Sequence, residues 1–146
     1  MPATFRLTLA QLNPTLGAIE ANAALAYDAW AQGRDAGAQM VALTEMFITG
    51  YQTQDLVLKP AFVADAMRAV QALAEKIKDG PALGVGAPCL KDGALYNAYY
   101  VLQDGKIAAT VLKHELPNSD VFDEKRIFAS APPQGPGQIG PPRGGT

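Results

Sequence analysis

The sequence predicts an α/β domain in which layers of helix and strand stack and the strands run in mixed directions. Apolar segments with strand and helix periodicity alternate in the order β-α-β-α-β-β-β. The last two strands flank Asp104-Gly105, and an Asp-Gly pair between apolar runs is a strong hairpin signal. A length of 146 residues with 49% hydrophobic content suffices for one domain with its own core.

The first half of the chain predicts a strand, a helix and a second strand. Apolar and polar residues alternate weakly over residues 5–13, and Pro14 follows. This pattern is typical of a first strand that ends in a turn. Apolar residues at helical spacing run from 19 to about 34, and Gly37 is well placed to end that helix. Residues 40–44, MVALT, form a short apolar run that is typical of a strand covered on both faces.

The second half predicts one more helix and three strands. Apolar residues step by four, four, three and four between 62 and 77, and Gly80-Pro81 stops this helix. Residues 82–88, ALGVGAP, predict a buried strand, and 94–103 with 106–113 predict the hairpin. The patterned domain is therefore expected to span residues 1–130.

The tail, residues 131–146, is rich in proline and glycine, and we expect it to be disordered. The formal charge of −2 and the pI of about 5.3 disfavour nucleic acid and anionic membrane as partners. The chain shows neither a membrane-length apolar run nor the features of a signal peptide, so a cytoplasmic location is expected. One cysteine and one histidine predict neither an internal disulfide nor a metal site.

Glu45 and Lys113 each close an apolar strand, where α/β folds place their sites. Glu45 is either a solvated strand-end acid or a carboxylate held there to move protons. Lys113 is either an edge lysine that prevents aggregation or a functional cation. His114 lacks a nearby cysteine or second histidine and is interpreted as structural. Cys89 lies in an apolar context without an adjacent base, so it is interpreted as a small buried hydrophobe.

Four segments resemble the nitrilase-type carbon–nitrogen hydrolase superfamily, and within it the glutaminase domain of the glutamine-dependent NAD synthetase family. They are QLNPTLGAIEANAA (11–24), GAQMVALTEMFITGYQTQDL (37–56), YNAYYVLQDGKI (96–107) and LKHELPNSDVFDEKRIF (112–128). The resemblance covers residues 5–128, and L-P-N followed by V-F-D-E-x-R is its most specific part. It implies part of an α-β-β-α sandwich whose C-terminal portion is missing.

The resemblance also implies a Glu–Lys–Cys triad for hydrolysis of the glutamine side-chain amide. Glu45 matches the general base, Lys113 the lysine that stabilises the oxyanion, and Glu124 a second glutamate that supports the site. Cysteine is the implied nucleophile, but the family places it beyond the lysine. Cys89 precedes Lys113, so the nucleophile is absent from this chain.

Tyr51, Ser119 and Phe122 match positions that line the substrate pocket. Ser119 stands where the family's L-P-N-Y has an aromatic residue, so this chain departs from the family's pattern at that substrate contact. The parent enzyme would use ammonia in an ATP- and Mg²⁺-dependent synthetase domain, and its Ser-Gly-Gly-x-Asp-Ser loop is not found here. We therefore expect this chain to be a truncated piece that has no cofactor of its own and is inactive alone. The parent enzyme is expected to bind glutamine and to form oligomers through its helical faces. The alternatives are a piece of a stand-alone amidase and a non-catalytic α/β interaction module.

Overall fold

The order of the elements agrees with the sequence prediction. The computed structural model of the protein describes residues 3–51, 53–114, 116 and 128–130, with only the backbone at 54 and 55. The elements are β1 (Leu7–Leu9), α1 (Ile19–Asp35), β2 (Met40–Ala42), a 3₁₀ helix (Gln54–Leu58), α2 (Pro60–Lys76), β3 (Ala82–Lys91), β4 (Ala94–Gln103) and β5 (Lys106–Leu112). Among these described elements, the 3₁₀ helix is the one that was not predicted. The expected tail, 131–146, lies outside the described residues.

The five strands form one sheet in the order β1-β2-β3-β4-β5. β1, β2 and β3 are parallel neighbours, and β3, β4 and β5 are antiparallel neighbours. The helices α1 and α2 make the crossovers that parallel pairing requires. The predicted mixture of strand directions is confirmed.

Both antiparallel connections are two-residue turns built from Asp-Gly. Asp92-Gly93 joins β3 to β4 and Asp104-Gly105 joins β4 to β5, with φ between +50° and +78° at all four residues. A turn of type I′ needs positive φ at both central positions, which glycine and aspartate tolerate. The prediction of a single hairpin was therefore incomplete. Because Asp92-Gly93 forms the same turn, β3 runs to Lys91 rather than stopping at 88.

The helices pack together on one face of the sheet. Gly37, with φ +81°, follows α1 as predicted. The indole N–H of Trp30 in α1 donates to the carbonyl of Pro81 at 2.8 Å, which ties the helix to the start of β3. A Cβ at Gly33 would lie 2.2 Å from the Val41 side chain, so glycine lets α1 approach β2 closely. The core between helices and sheet contains Ala26, Ala29, Trp30, Val41, Leu43, Val70, Leu73, Ile77, Leu83, Val85, Ala87, Tyr100 and Leu102.

The opposite face of the sheet is covered only in part. Side chains alternate between the faces of a strand, so Val41 points to the helices while Met40 and Ala42 point away. Met40 and Ala42 are half-buried, and their neighbours Leu7 and Leu9 on β1 are exposed. The prediction that residues 40–44 are covered on both faces was wrong for the described structure. β3 alone fits that pattern, because residues 82–89 are all buried.

One helical layer and one sheet of the expected sandwich are present in the described residues. The open face carries apolar side chains that a second layer would cover, and Leu9 is 70% exposed. The site residues predicted at the ends of β2 and β5 lie toward this face. No helix in the described ranges has the length and apolarity needed to span a membrane.

Two neighbouring tyrosines of β4 make the free energy of unfolding depend on pH in the alkaline range. Burial raises the pKa of Tyr99 and of Tyr100, and the thiol of Cys89 adds to the effect on Tyr100. Because both folded-state pKa values exceed the unfolded value of 10.0, the unfolded chain loses these protons first as pH rises. The stabilisation is complete below pH 10 and is lost progressively above it.

Urea unfolding midpoints measured on both sides of that pH are expected to fall in alkali. Tyr100→Phe is expected to flatten this dependence and to remove one late-titrating group from the tyrosinate absorbance of the folded chain. A dependence as steep in the variant as in the original chain would contradict the assignment to Tyr100.

Candidate active site

The turn after β2 places Glu45 beside β3. The backbone of this turn stays bonded to β3 past the end of the parallel ladder. The N–H of Leu43 donates to the carbonyl of Gly84 at 2.9 Å, and the N–H of Ile48 donates to the carbonyl of Gly86 at 3.1 Å. These bonds hold the Glu45 backbone between two fixed points, so the carboxylate leaves the sheet from a defined position.

Glycine at 86 is required for this close approach. A Cβ there would lie 2.3 Å from the backbone nitrogen of Met46 and 2.8 Å from the Cα of Glu45. Met46 itself has φ +52°, an uncommon backbone conformation for a residue with a side chain. Its side chain is buried in a second apolar cluster with Val57, Val63, Leu116 and Phe128. The turn is therefore fixed on one side by the packing of the Met46 side chain. On the other side it is fixed by close contact with the backbone of Gly86, which has no Cβ.

Asn22 of α1 fastens the same turn to the loop before that helix. Its side-chain oxygen accepts the N–H of Thr15 at 2.9 Å, and its amide donates to the carbonyls of Thr15 and Ile48 at 2.8 and 3.0 Å. The N–H of Gly17 donates to the carbonyl of Thr49 at 2.8 Å. The two motif segments 11–24 and 37–56 thus meet through hydrogen bonds rather than through sequence proximity.

Lys113 arrives at the same place from β5. Its backbone N–H donates to the carbonyl of Asn97 at 2.9 Å, which extends the β4–β5 pairing by one residue. Its ammonium lies 2.5 Å from Oε1 of Glu45, although the two residues are 68 positions apart. The side chains are 28% exposed for Lys113 and 40% exposed for Glu45. The two residues predicted to act together therefore form an ion pair that is partly buried from solvent.

Asn97 is a member of this cluster that the sequence interpretation did not select. Its side-chain N–H donates to Oε1 of Glu45 at 2.6 Å. The residue is 2% exposed. The available signal was an asparagine within the apolar run 94–103, because a buried amide must find partners. Its position in the Y-N element of the hairpin also marked it.

The remaining predicted site residues fall into two groups. Tyr51 follows the Glu45 turn directly and is partly exposed at its surface. Glu124, Ser119 and Phe122 lie outside the described residues, and their roles stay predictions.

The chain on both sides of that segment returns to the same end of the sheet. Leu116 and Phe128, two of the apolar residues noted there in the sequence, are buried beside Met46. The N–H of Ala129 donates to the carbonyl of Leu95 at 2.7 Å, two residues from the Asn97 carbonyl that receives Lys113. Both ends of the 114–128 segment are thus attached next to the Glu45–Lys113 pair.

Cys89 occupies the other side of the sheet. It lies in the core between helices and sheet, whereas its neighbour Pro88 pairs with Asn97 on the opposite face. The thiol is therefore separated from the Glu45–Lys113 pair by the sheet itself. Within the described ranges, no three histidine, cysteine, aspartate or glutamate side chains gather as metal ligands would.

A carboxylate next to an ammonium offers two chemical functions in one place. The carboxylate accepts and returns a proton, and the ammonium supplies a fixed positive charge to an oxygen that becomes negative during a reaction. Charge-assisted hydrogen bonds are stronger than neutral ones, so this pair also keeps its own geometry. The arrangement suits acyl chemistry at a carbonyl, provided that a nucleophile is supplied.

Comparison with known proteins identifies the family of the chain. Residues 6–144 match the profile of the carbon-nitrogen hydrolase family. A glutamine-dependent NAD(+) synthetase from Rhodobacter capsulatus is 59% identical over 141 residues, which cover 97% of this chain and 26% of that protein. One from Thermotoga maritima is 37% identical over 123 residues, which cover 84% of this chain and 21% of that protein. The chain thus spans about a quarter of the length of these curated relatives.

Solved structures show the same fold. A glutamine-dependent NAD(+) synthetase from Cytophaga hutchinsonii superposes with a TM-score of 0.84 at 28% identity, over 89% of this chain and 22% of that one. The enzyme from Acinetobacter baumannii, in complex with ADP, gives 0.83 at 31% identity, over 88% and 24%. An amidase from Nesterenkonia sp. gives 0.74 at 22% identity, over 88% and 49%, and shows the fold alone.

Proposed function

Since the chain belongs to the carbon-nitrogen hydrolase family, we propose that it carries the carboxylate and ammonium of a glutaminase site. In the whole protein, this site would release ammonia from the side-chain amide of glutamine. The ammonia would then serve the ATP-dependent conversion of deamido-NAD to NAD. The contact of 2.5 Å between Lys113 Nζ and Glu45 Oε1 carries the proposal, since it joins two strand ends 68 residues apart. The names of the relatives support the choice of glutamine.

The proposed chemistry proceeds in two stages. In the first, Glu45 removes the proton of a cysteine thiol, the thiolate attacks the amide carbon, and Glu45 returns that proton to the departing ammonia. In the second, Glu45 activates the water that cleaves the thioester. Lys113 stabilises the oxyanion in both stages.

The chain's own thiol does not fit this scheme. Cys89 is buried on the helical face of the sheet. We therefore propose that the 146 residues alone do not turn over glutamine. ATP and Mg²⁺ would belong to the synthetase portion of the parent enzyme. Pairing of chains through the helical faces stays a prediction.

The amidase alternative has less support. The Nesterenkonia amidase shares the fold at 22% identity, whereas the relatives above 30% identity bear the name of the NAD synthetase. The interaction-module alternative does not account for an ion pair assembled at one end of the sheet. The glutaminase assignment accounts for the ion pair and agrees with the names of these relatives.

A hybrid protein tests the proposal. Residues 5–128 of this chain replace the matching segment of the Rhodobacter capsulatus relative, whose remaining portion supplies the region where the family places its cysteine. The hybrid is expected to make NAD with glutamine as the nitrogen source and to release glutamate in proportion. Coupled assays of ammonia and NAD measure both products.

The 146-residue chain serves as the matched control. It is expected to release no ammonia from glutamine above the buffer rate. Steady turnover by the pure chain, or a folded hybrid that uses added ammonia but not glutamine, would overturn the proposal.

A further inference from the structure

Asn97 contacts both members of the ion pair. Its side-chain amide donates to Oε1 of Glu45 at 2.6 Å, and its backbone carbonyl accepts the N–H of Lys113 at 2.9 Å. It lies within β4, so its neighbours in the sheet fix its own position. Asn97 therefore positions both the carboxylate of Glu45 and the backbone of Lys113.

Lys113 and Asn97 both donate to the same oxygen of Glu45. Lys113 Nζ lies 2.5 Å and Asn97 Nδ2 2.6 Å from Oε1. Among the described residues, no donor contacts Oε2. A carboxylate oxygen has two lone pairs, and two strong hydrogen bonds occupy both of them. The other oxygen is therefore the better proton acceptor.

From this asymmetry we propose that Asn97 is a positioning residue that reserves Oε2 of Glu45 for proton transfer. The inference rests on the proposed glutaminase function and assigns an atom to its proton steps. When the thiol S–H bond breaks, the new O–H bond forms at Oε2, and the S–H electron pair stays on sulfur as the thiolate. When ammonia departs, that O–H bond breaks and the proton moves to the amide nitrogen.

Oε1 plays the complementary part. It accepts hydrogen bonds from Asn97 and Lys113 whether Glu45 is ionised or protonated at Oε2, because a carbonyl oxygen is also an acceptor. The carboxyl group therefore does not rotate between the two proton transfers. Small displacements of a catalytic group cost about 10²-fold in rate, which is why such an anchor matters.

The hydrogen bond itself can be tested in the 146-residue chain without any activity. The side-chain amide proton of Asn97 is expected downfield in nuclear magnetic resonance spectra, because it bonds to a carboxylate. Glu45→Ala should move this resonance upfield. The amide of Asn22, an equally buried asparagine that bonds only to backbone groups, is the matched control and should stay in place. An Asn97 resonance that does not respond to Glu45→Ala would refute the contact.

The catalytic consequence is tested in the hybrid protein. Asn97→Ala is expected to lower the glutamine-dependent kcat roughly 10- to 100-fold, while KM for glutamine and ammonia-driven synthesis stay unchanged. Asn97→Leu, which keeps a similar size and removes the donor without adding a charge, covers the case in which the alanine variant folds poorly. It should show the same split between kcat and KM.

The outcomes separate the two proposals. A hybrid without glutamine-dependent turnover before any substitution would refute the glutaminase function. An active hybrid in which both Asn97 variants keep full kcat, or change KM alone, would refute the positioning role and leave the glutaminase function intact.

Discussion

Glu45→Gln in the hybrid protein is expected to lower glutamine-dependent NAD synthesis by roughly 10²- to 10⁴-fold, the range that general acid–base catalysis contributes. The substitution preserves size and leaves an acceptor oxygen for Asn97 and Lys113, which lie 2.6 and 2.5 Å from the present carboxylate. What it removes is the capacity to carry a proton. Synthesis driven by added ammonia should be unaffected, because that route bypasses amide hydrolysis.

The comparison of nitrogen sources makes this experiment decisive. Glu20→Gln is the matched control, since it makes the same chemical change in the first turn of α1, on the helical side of the sheet. It should leave both rates unchanged. If Glu45→Gln lowers the glutamine and ammonia rates equally, Glu45 supports the fold and does not transfer protons.

Gly86→Ala is expected to destabilise the chain by roughly 3 kcal/mol, at the upper end of the usual cost of overpacking. The new Cβ would lie 2.3 Å from the nitrogen of Met46 and 2.8 Å from the Cα of Glu45. Both are backbone atoms, and hydrogen bonds to β3 hold this turn from both sides. The backbone can yield only by moving Glu45 away from Lys113. The loss should appear as a lower urea midpoint with an unchanged slope.

Gly84→Ala provides the matched control on the same strand and face. Its Cβ would meet the ring of Tyr99, at 2.5 Å from the hydroxyl oxygen. A side chain can rotate at the cost of its hydrogen bond to the Leu43 carbonyl. We therefore expect a smaller loss, about 1 kcal/mol. Equal losses at the two glycines would contradict the claim that the Glu45 turn is held rigidly against β3.

The elements of the fold could be predicted because their signals are local. Helical spacing identified α1 and α2, and an Asp-Gly pair identified the β4–β5 hairpin. Asp92-Gly93 carries the same signal, and because it forms a turn, β3 extends to Lys91, beyond the predicted end at 88. These features depend on residues within one or two turns of each other.

The site was predictable only in part. Glu45 and Lys113 could be proposed from strand ends and from the motifs that surround them. Asn97 could not be assigned a role, because its contact with Glu45 depends on the register of β4 against β3 and β5. A shift of one residue would turn the same amide toward the helices.

The sequence by itself determined the order of elements, the family resemblance and the pair of charged residues at two strand ends. The tertiary structure decided that this pair meets, that one oxygen of Glu45 receives both donors, and that Cys89 lies behind the sheet. Periodicity and turn chemistry are properties of neighbouring residues, so a single chain segment reveals them. Contact between residues 68 positions apart depends on strand register and on the missing Cβ at Gly86, which only the folded sheet brings together.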